Sequence, residues 1–147
     1  MSKIFFTQQE QDLLIKAIQS AELNTSGEIR VHVEPSCDKN PEDRAKEVFS
    51  LLGMHATELQ NGVLIYLAYE SKVFAIIGDK GIHEKVGFSF WDAERDTMKN
   101  YFSKSEYLNG LIEVIGDIGV KLKEFFPYQS NDTNELSNEI SFGGEQK

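Results

Sequence analysis

Residues 61–82, NGVLIYLAYESKVFAIIGDKGI, decide the fold. Two apolar runs of strand length, GVLIYLA (62–68) and VFAII (73–77), are separated by only a few residues around Glu70, Ser71 and Lys72. A parallel crossover needs about a dozen or more, so the second run must turn back antiparallel beside the first. The first run is apolar at every position, which is the pattern of a central strand covered on both faces. Its reversal carries Asp79 back to the sheet edge at which that strand began.

Upstream, Ile29, Val31 and Val33 alternate with Glu28, Arg30, His32 and Glu34, a half-buried strand stopped by Pro35. After a polar loop, Asn40 followed by Pro41, Glu42 and Asp43 supplies an N-cap, a favoured first helical residue and carboxylates for the helix dipole. Ala45, Val48, Phe49 and Leu52 form the buried stripe and Gly53 closes the helix. Strand, helix and strand with this link form a right-handed crossover, so strands 28–34 and 62–69 run parallel and Glu28 shares an edge with Asp79.

TQQE (7–10) has the form of a capping box and opens a helix over 8–23, with Leu13, Leu14, Ala17, Ile18 and Ala21 on one face. Beyond the hairpin, Asp79 is placed to cap a short helix, KGIHEKV (80–86). A further helix covers 91–102, with Trp91, Met98, Tyr101 and Phe102 opposite Asp92, Arg95, Asp96 and Lys99. Ser105 is positioned to cap the last long helix, whose Gly110, Gly116 and Gly119 are expected to allow close packing on the sheet. The fold class is α/β: a three-layer α/β/α sandwich, with a small mixed central sheet flanked by helices on both faces. One domain is expected over 1–127. Residues 128–147 form a polar, acidic tail, loosely docked or disordered, with Leu136, Ile140 and Phe142 as docking points.

Composition narrows the function. With 147 residues, 24 Asp and Glu against 15 Lys and Arg and a formal charge of −9, the chain repels phosphate backbones, and no nucleic-acid partner is expected. The single Cys37 excludes an internal disulfide and a multi-cysteine zinc site. No run of about 18 apolar residues is present, so membrane insertion is not expected, and a soluble, cytoplasmic protein is the expectation.

Motif chemistry is sparse. GDKG (78–81) lacks the spacing of a dinucleotide fingerprint, and Gly87 stands four residues after His83, where a zincin helix needs its second ligand. Leu136 interrupts what would otherwise open as a calcium loop at Asp132 and Asn134. His32 and His55 read as surface or packing histidines. What remains is the sheet edge, where Glu28, Asn61 and Asp79 meet and where Asp92 and Asp96, one helical turn apart, join if their helix starts nearby. Such hard oxygen donors suit calcium, with magnesium or another divalent cation as alternatives.

The blocks TSGEIRVHVE (25–34), RAKEVFSLLGM (44–54), TELQNGVLIYLA (57–68), FAIIGDKGI (74–82), FW (90–91), YLNGL (107–111) and FPYQSNDTNELSNEISFG (126–143), in this order over nearly the whole chain, resemble the TPM domain family, in particular its small stand-alone bacterial members. That resemblance implies an α/β sandwich and divalent-cation binding at an acidic cluster, resting on Glu28 in SGEI, on Asp79 in IGD, and on Asp92 or Asp96 after FW. Plant thylakoid members are linked to photosystem repair and an acid phosphatase-like activity, and an animal member to acetylcholine receptors; these are exported or membrane-tethered relatives. The leading expectation is a calcium-binding domain. Its rivals are a metal-assisted phosphatase, with Arg30, Arg44 and Lys80 to meet the substrate's charge, and an adaptor for a partner protein that uses loop 35–40 or the tail.

Overall fold

The computed structural model describes residues 5–128 and 140–143. Its elements are α1 (Gln8–Glu22), β1 (Glu28–Glu34), α2 (Pro41–Leu51), a 3-10 turn (Met54–Ala56), β2 (Gly62–Ala68), β3 (Val73–Gly78), α3 (Lys80–Phe102), α4 (Tyr107–Phe125) and β4 (Ser141–Phe142). The sheet order is β3-β2-β1-β4. β1 and β2 are parallel, with Glu28 opposite Gly62, and β3 returns antiparallel, with Gly78 opposite Val63. The fold is α/β, with a small mixed sheet, as the hydrophobic pattern requires.

Alternation along β2 divides the core. Val63, Ile65 and Leu67 join Ile29, Val31 and Val33 in the larger cluster, packed by α1, α3 and α4. Leu64, Tyr66 and Ala68 join Ala45, Val48 and Phe49 of α2 in a second cluster. Helices therefore cover both faces, which fits the three-layer sandwich, and β2 is buried at every residue.

Local signals hold at most helix starts. Thr7 and Glu10 form the reciprocal capping box of α1, and the Asn40 side chain accepts from the amides of Glu42 and Asp43. The two helices expected between 80 and 102 are one element interrupted at Gly87, whose φ of 75° and ψ of 176° no helix accommodates. Ser105 does not cap α4. It lies at φ 60°, and Glu106 takes the N-cap position without a side-chain hydrogen bond.

The tail docks in part. Ile140 is buried, and Ser141 and Phe142 pair parallel to His32 and Val33 of β1, while Leu136 lies outside the described residues. The glycines of α4 also work differently from the expectation of sheet packing. Gly110 faces Tyr101 and Phe102 of α3, and a Cβ at Gly119 would stand 2.7 Å from the Ala21 Cβ of α1. Gly116 has open space. Gly119→Ala is therefore expected to lower the unfolding free energy by about 1–3 kcal/mol. Gly116→Ala should raise it by up to ~1 kcal/mol. Urea titrations that give the two changes the same sign would contradict this division.

Candidate functional site

The β2–β3 reversal produces the juxtaposition read from the sequence. The Glu28 amide donates to the Asn61 carbonyl at 3.3 Å, and the Asp79 amide donates to the Gly62 carbonyl at 2.9 Å. Glu28 and Asp79 thus flank one short segment, and by the alternation of the sheet positions 28, 62 and 79 form a row in which Gly62 offers no side chain. Glu28 and Asn61 are 2% and 1% exposed, respectively. The Asn61 amide donates to the Ser26 hydroxyl at 3.2 Å, while its Oδ1 is buried and meets no donor among the described residues. Asp79 caps α3 through Oδ1, which accepts from the Lys80 amide at 2.8 Å, and its Oδ2 is likewise buried without a donor. Nearby, Glu22 accepts from the Ile29 amide at 2.8 Å; burial pushes its pKa up to about 7, against the lowering effect of that hydrogen bond.

Asp92 and Asp96 are placed differently from this trio. Trp91 reaches the edge, since its ring fills the space a Cβ on Gly78 would need and its indole N–H donates to His83 Nδ1 at 3.0 Å. The next residue, Asp92, points to solvent and pairs with Arg95, and Asp96 is exposed on the same helix. Among the described residues, no three His, Cys, Asp or Glu side chains gather closely enough to hold a metal ion. The edge therefore places Glu28, Asn61 and Asp79 at neighbouring backbone positions, and Asp92 and Asp96 lie exposed away from them.

A second cluster, absent from the sequence reading, lies at the opposite end of β1. Glu34, 3% exposed, accepts from Arg44 Nε at 2.9 Å, Arg44 Nη2 at 3.0 Å, His32 Nε2 at 3.0 Å and the Tyr66 hydroxyl. Burial alone would raise its pKa, but the hydrogen bonds from Arg44, Tyr66 and His32 outweigh it and hold the carboxyl at about 2. Burial depresses the His32 pKa more than Glu34 raises it, so the ring is neutral. With Nε2–H donating to Glu34, Nδ1 accepts from the Ser141 hydroxyl at 2.9 Å. His32 is thus a packing histidine that ties β4 to the sheet, and a Cβ at Gly143 would fall 2.5 Å from Glu34 Oε1.

A second site without a sequence signal is Glu94, 6% exposed between α3 and α4, with Oε1 meeting no donor among the described residues. Burial first, then its contact with Asp117, pushes its pKa up to about 8. Glu94 therefore keeps its proton to a higher pH than an ordinary carboxyl, and the neighbouring Asp117 favours that protonated form.

An α/β domain with an acidic edge of this kind defines a class, and the comparisons identify the family. The sequence profile of the TPM domain matches residues 2–121, and the chain belongs to the TPM domain family. It is similar to BA42 from the psychrophilic bacterium Bizionia argentinensis, whose NMR structure shares 46% identity at a TM-score of 0.88, covering 97% of this chain and 100% of that one. The N-terminal domain of cg2496 from Corynebacterium glutamicum matches at 14% identity and a TM-score of 0.63, over 97% of this chain and 83% of that one. The N-terminal domain of a P. gingivalis protein matches at 16% identity and a TM-score of 0.68, over 84% and 82% of the respective chains. The last two share the fold alone. Among curated proteins no relative matches. None of the described helices is long and apolar enough to cross a membrane.

Two opposite pH dependences follow. The folded Glu34 value of about 2 lies below the ordinary 4.5, so its stabilisation is complete above about pH 4.5 and is lost as pH falls toward 2. Arg44→Ala should cost ~3–5 kcal/mol in urea titrations at pH 7, and less near pH 2, where the carboxyl is protonated. The folded Glu94 value of about 8 lies above 4.5, so its contribution is greatest below 4.5 and declines as pH rises to about 8. Glu94→Gln keeps a donor toward Asp117 and removes the titration. Thermal melts of this variant should lose that part of the decline, and an unchanged profile would rule out the protonated carboxyl.

Proposed function

We propose that this domain binds a divalent cation of the calcium type at the sheet edge formed by Glu28, Asn61 and Asp79. The observation that carries the reading is that two buried oxygens, Asn61 Oδ1 and Asp79 Oδ2, meet no donor among the described residues, at strand positions next to the buried Glu28. A buried polar atom without a partner costs free energy, and a cation bound at this edge would offset that cost. Amide and carboxylate oxygens are hard donors, which favours calcium over zinc, with magnesium next. Calcium takes about 6–8 oxygens, so three side chains leave most positions to backbone carbonyls and water, and binding should be weak, on the order of 10⁻⁴–10⁻³ M. Asp92 and Asp96 enter the site only if α3 repacks around the ion.

Less supports the rivals. Arg44, one of the cations a phosphatase could have used, is bound to Glu34 and Glu47 at the other end of β1. Ile140 and Phe142, the anchors an adaptor tail could have offered, pack into the domain's own core.

Chelator-treated protein titrated with calcium chloride should release or absorb heat saturably, and millimolar calcium should raise the melting temperature. Asp79→Asn retains an N-cap residue, so the variant should fold while binding calcium at least about tenfold more weakly. Neither heat nor a thermal shift with wild-type protein at about 10 mM calcium would end the proposal.

A further inference from the structure

At the hairpin end of the sheet, across the length of β3 from Asp79, lies a cavity of about 320 Å³ lined by Lys72, Phe74, Lys99, Phe102, Ser103, Ser105 and Tyr107. That volume is within the range of small-molecule sites. Its floor is aromatic: the Phe74 and Phe102 rings meet edge to face at 5.2 Å, and Phe102 and Tyr107 tilt together at 4.8 Å. In a protein of net charge −9, Lys72 and Lys99 face one cavity, and neither has an acidic partner among the described residues.

Two lysines lining one cavity raise the positive potential there, which favours an anion between them. The polar lining fits an anion as well. Ser103 Oγ already donates to the Asn100 carbonyl at 2.7 Å, whereas the Ser105 hydroxyl is uncommitted among the described residues. Tyr107 begins α4, whose first turn lacks a side-chain cap and whose partial positive charge is offset in part by the Glu106 carboxylate at the N-cap. Two ammonium groups and a hydroxyl donor match a dianion with several acceptor oxygens better than a single carboxylate, lysine serving as a point charge for phosphate. The ring floor adds a stacking surface.

We propose that this cavity binds an aromatic organic phosphate, with its dianion held by Lys72, Lys99 and Ser105 and its ring against Phe74, Phe102 and Tyr107. The site is separate from the acidic edge and does not depend on a cation there.

Phenylphosphonate, which cannot be hydrolysed, is the probe, and amide shifts in ¹H–¹⁵N spectra of the full chain are the readout. Saturable shifts are expected at residues 72, 99 and 103–107, and they should weaken with added sodium chloride. Lys72→Gln combined with Lys99→Gln, both at exposed positions, should leave the spectrum folded and reduce affinity about tenfold or more. Methylphosphonate, which lacks the ring, should bind about fivefold or more weakly. Asp79→Asn should bind phenylphosphonate like the wild type. The proposal is overturned by shifts that never saturate, by equal binding in the double variant, or by methylphosphonate binding as well as phenylphosphonate.

Discussion

The tight reversal between β2 and β3 is the constraint on which the rest of the molecule depends. A strand buried at every residue cannot stand alone, and Lys72, at φ 58°, turns the chain within a few residues so that β3 covers one flank of β2 while β1 covers the other. Because side chains alternate along β2, its two faces demand separate partners, and α2 on one side and α1, α3 and α4 on the other meet that demand. The same reversal fixes where β3 ends. It brings Asp79 to Gly62 and, through the parallel register, within one strand of Glu28. Architecture and candidate site are consequences of a single backbone event.

β1 shows how this sheet tolerates a polar strand near its centre. Three of its four polar positions, Glu28, His32 and Glu34, are buried, and Arg30 is half-buried. At Glu34 the burial is sustainable because a guanidinium, a phenol and an imidazole all donate to one carboxylate, leaving the pair with no unmet charge. A network satisfied on every side also pins register, since a slip of one residue would withdraw Glu34 from Arg44 and Tyr66 together. The outer flank of β1 is closed by different means at its two ends. The Glu22 carboxylate takes the Ile29 amide, and the Gly143 amide donates to the Val33 carbonyl.

How much of this was legible in the sequence depended on whether a signal was local or had to be assembled by the fold. The capping box at Thr7, the cap at Asn40 and the apolar runs of β2 and β3 follow from nearest-neighbour chemistry and are found in place. The placing of positions 28, 61 and 79 at the same end of adjacent strands needed only topology, which the hairpin and the crossover determine. What the fold does not assemble is the joining of Asp92 and Asp96, because Trp91 rather than its neighbours is the side chain turned inward, and periodicity fixes a helix's faces more surely than its rotation against the sheet. The Glu34 network was invisible for a related reason: alternation marks a residue as polar-facing but cannot say that Arg44 and Tyr66 will converge on it. Glu94 lay hidden because a carboxyl on a helix reads as solvated until a second helix covers it.

The two ends of the sheet then differ in what their polar atoms still lack. Ligands in open α/β sheets usually bind beyond the carboxyl ends of the parallel strands, where loops diverge. Here that position next to β1 is taken by the Glu34 network and closed by β4, whose Ser141 and Gly143 sit against His32 and Glu34. Its lone pairs and protons are paired within the chain, so it has little to offer a ligand except by opening. At the amino end of the same strands polar atoms remain unpaired: Asn61 Oδ1 and Asp79 Oδ2 meet no donor among the described residues, and Arg30 Nε meets no acceptor. An unpaired buried acceptor can be resolved by a proton, as Glu94 resolves its contact with Asp117, or by a cation. Asp79 caps α3 through the Lys80 amide, and an amide oxygen such as that of Asn61 does not take up a proton at physiological pH, so that acceptor can be met only by a donor such as water or by a cation.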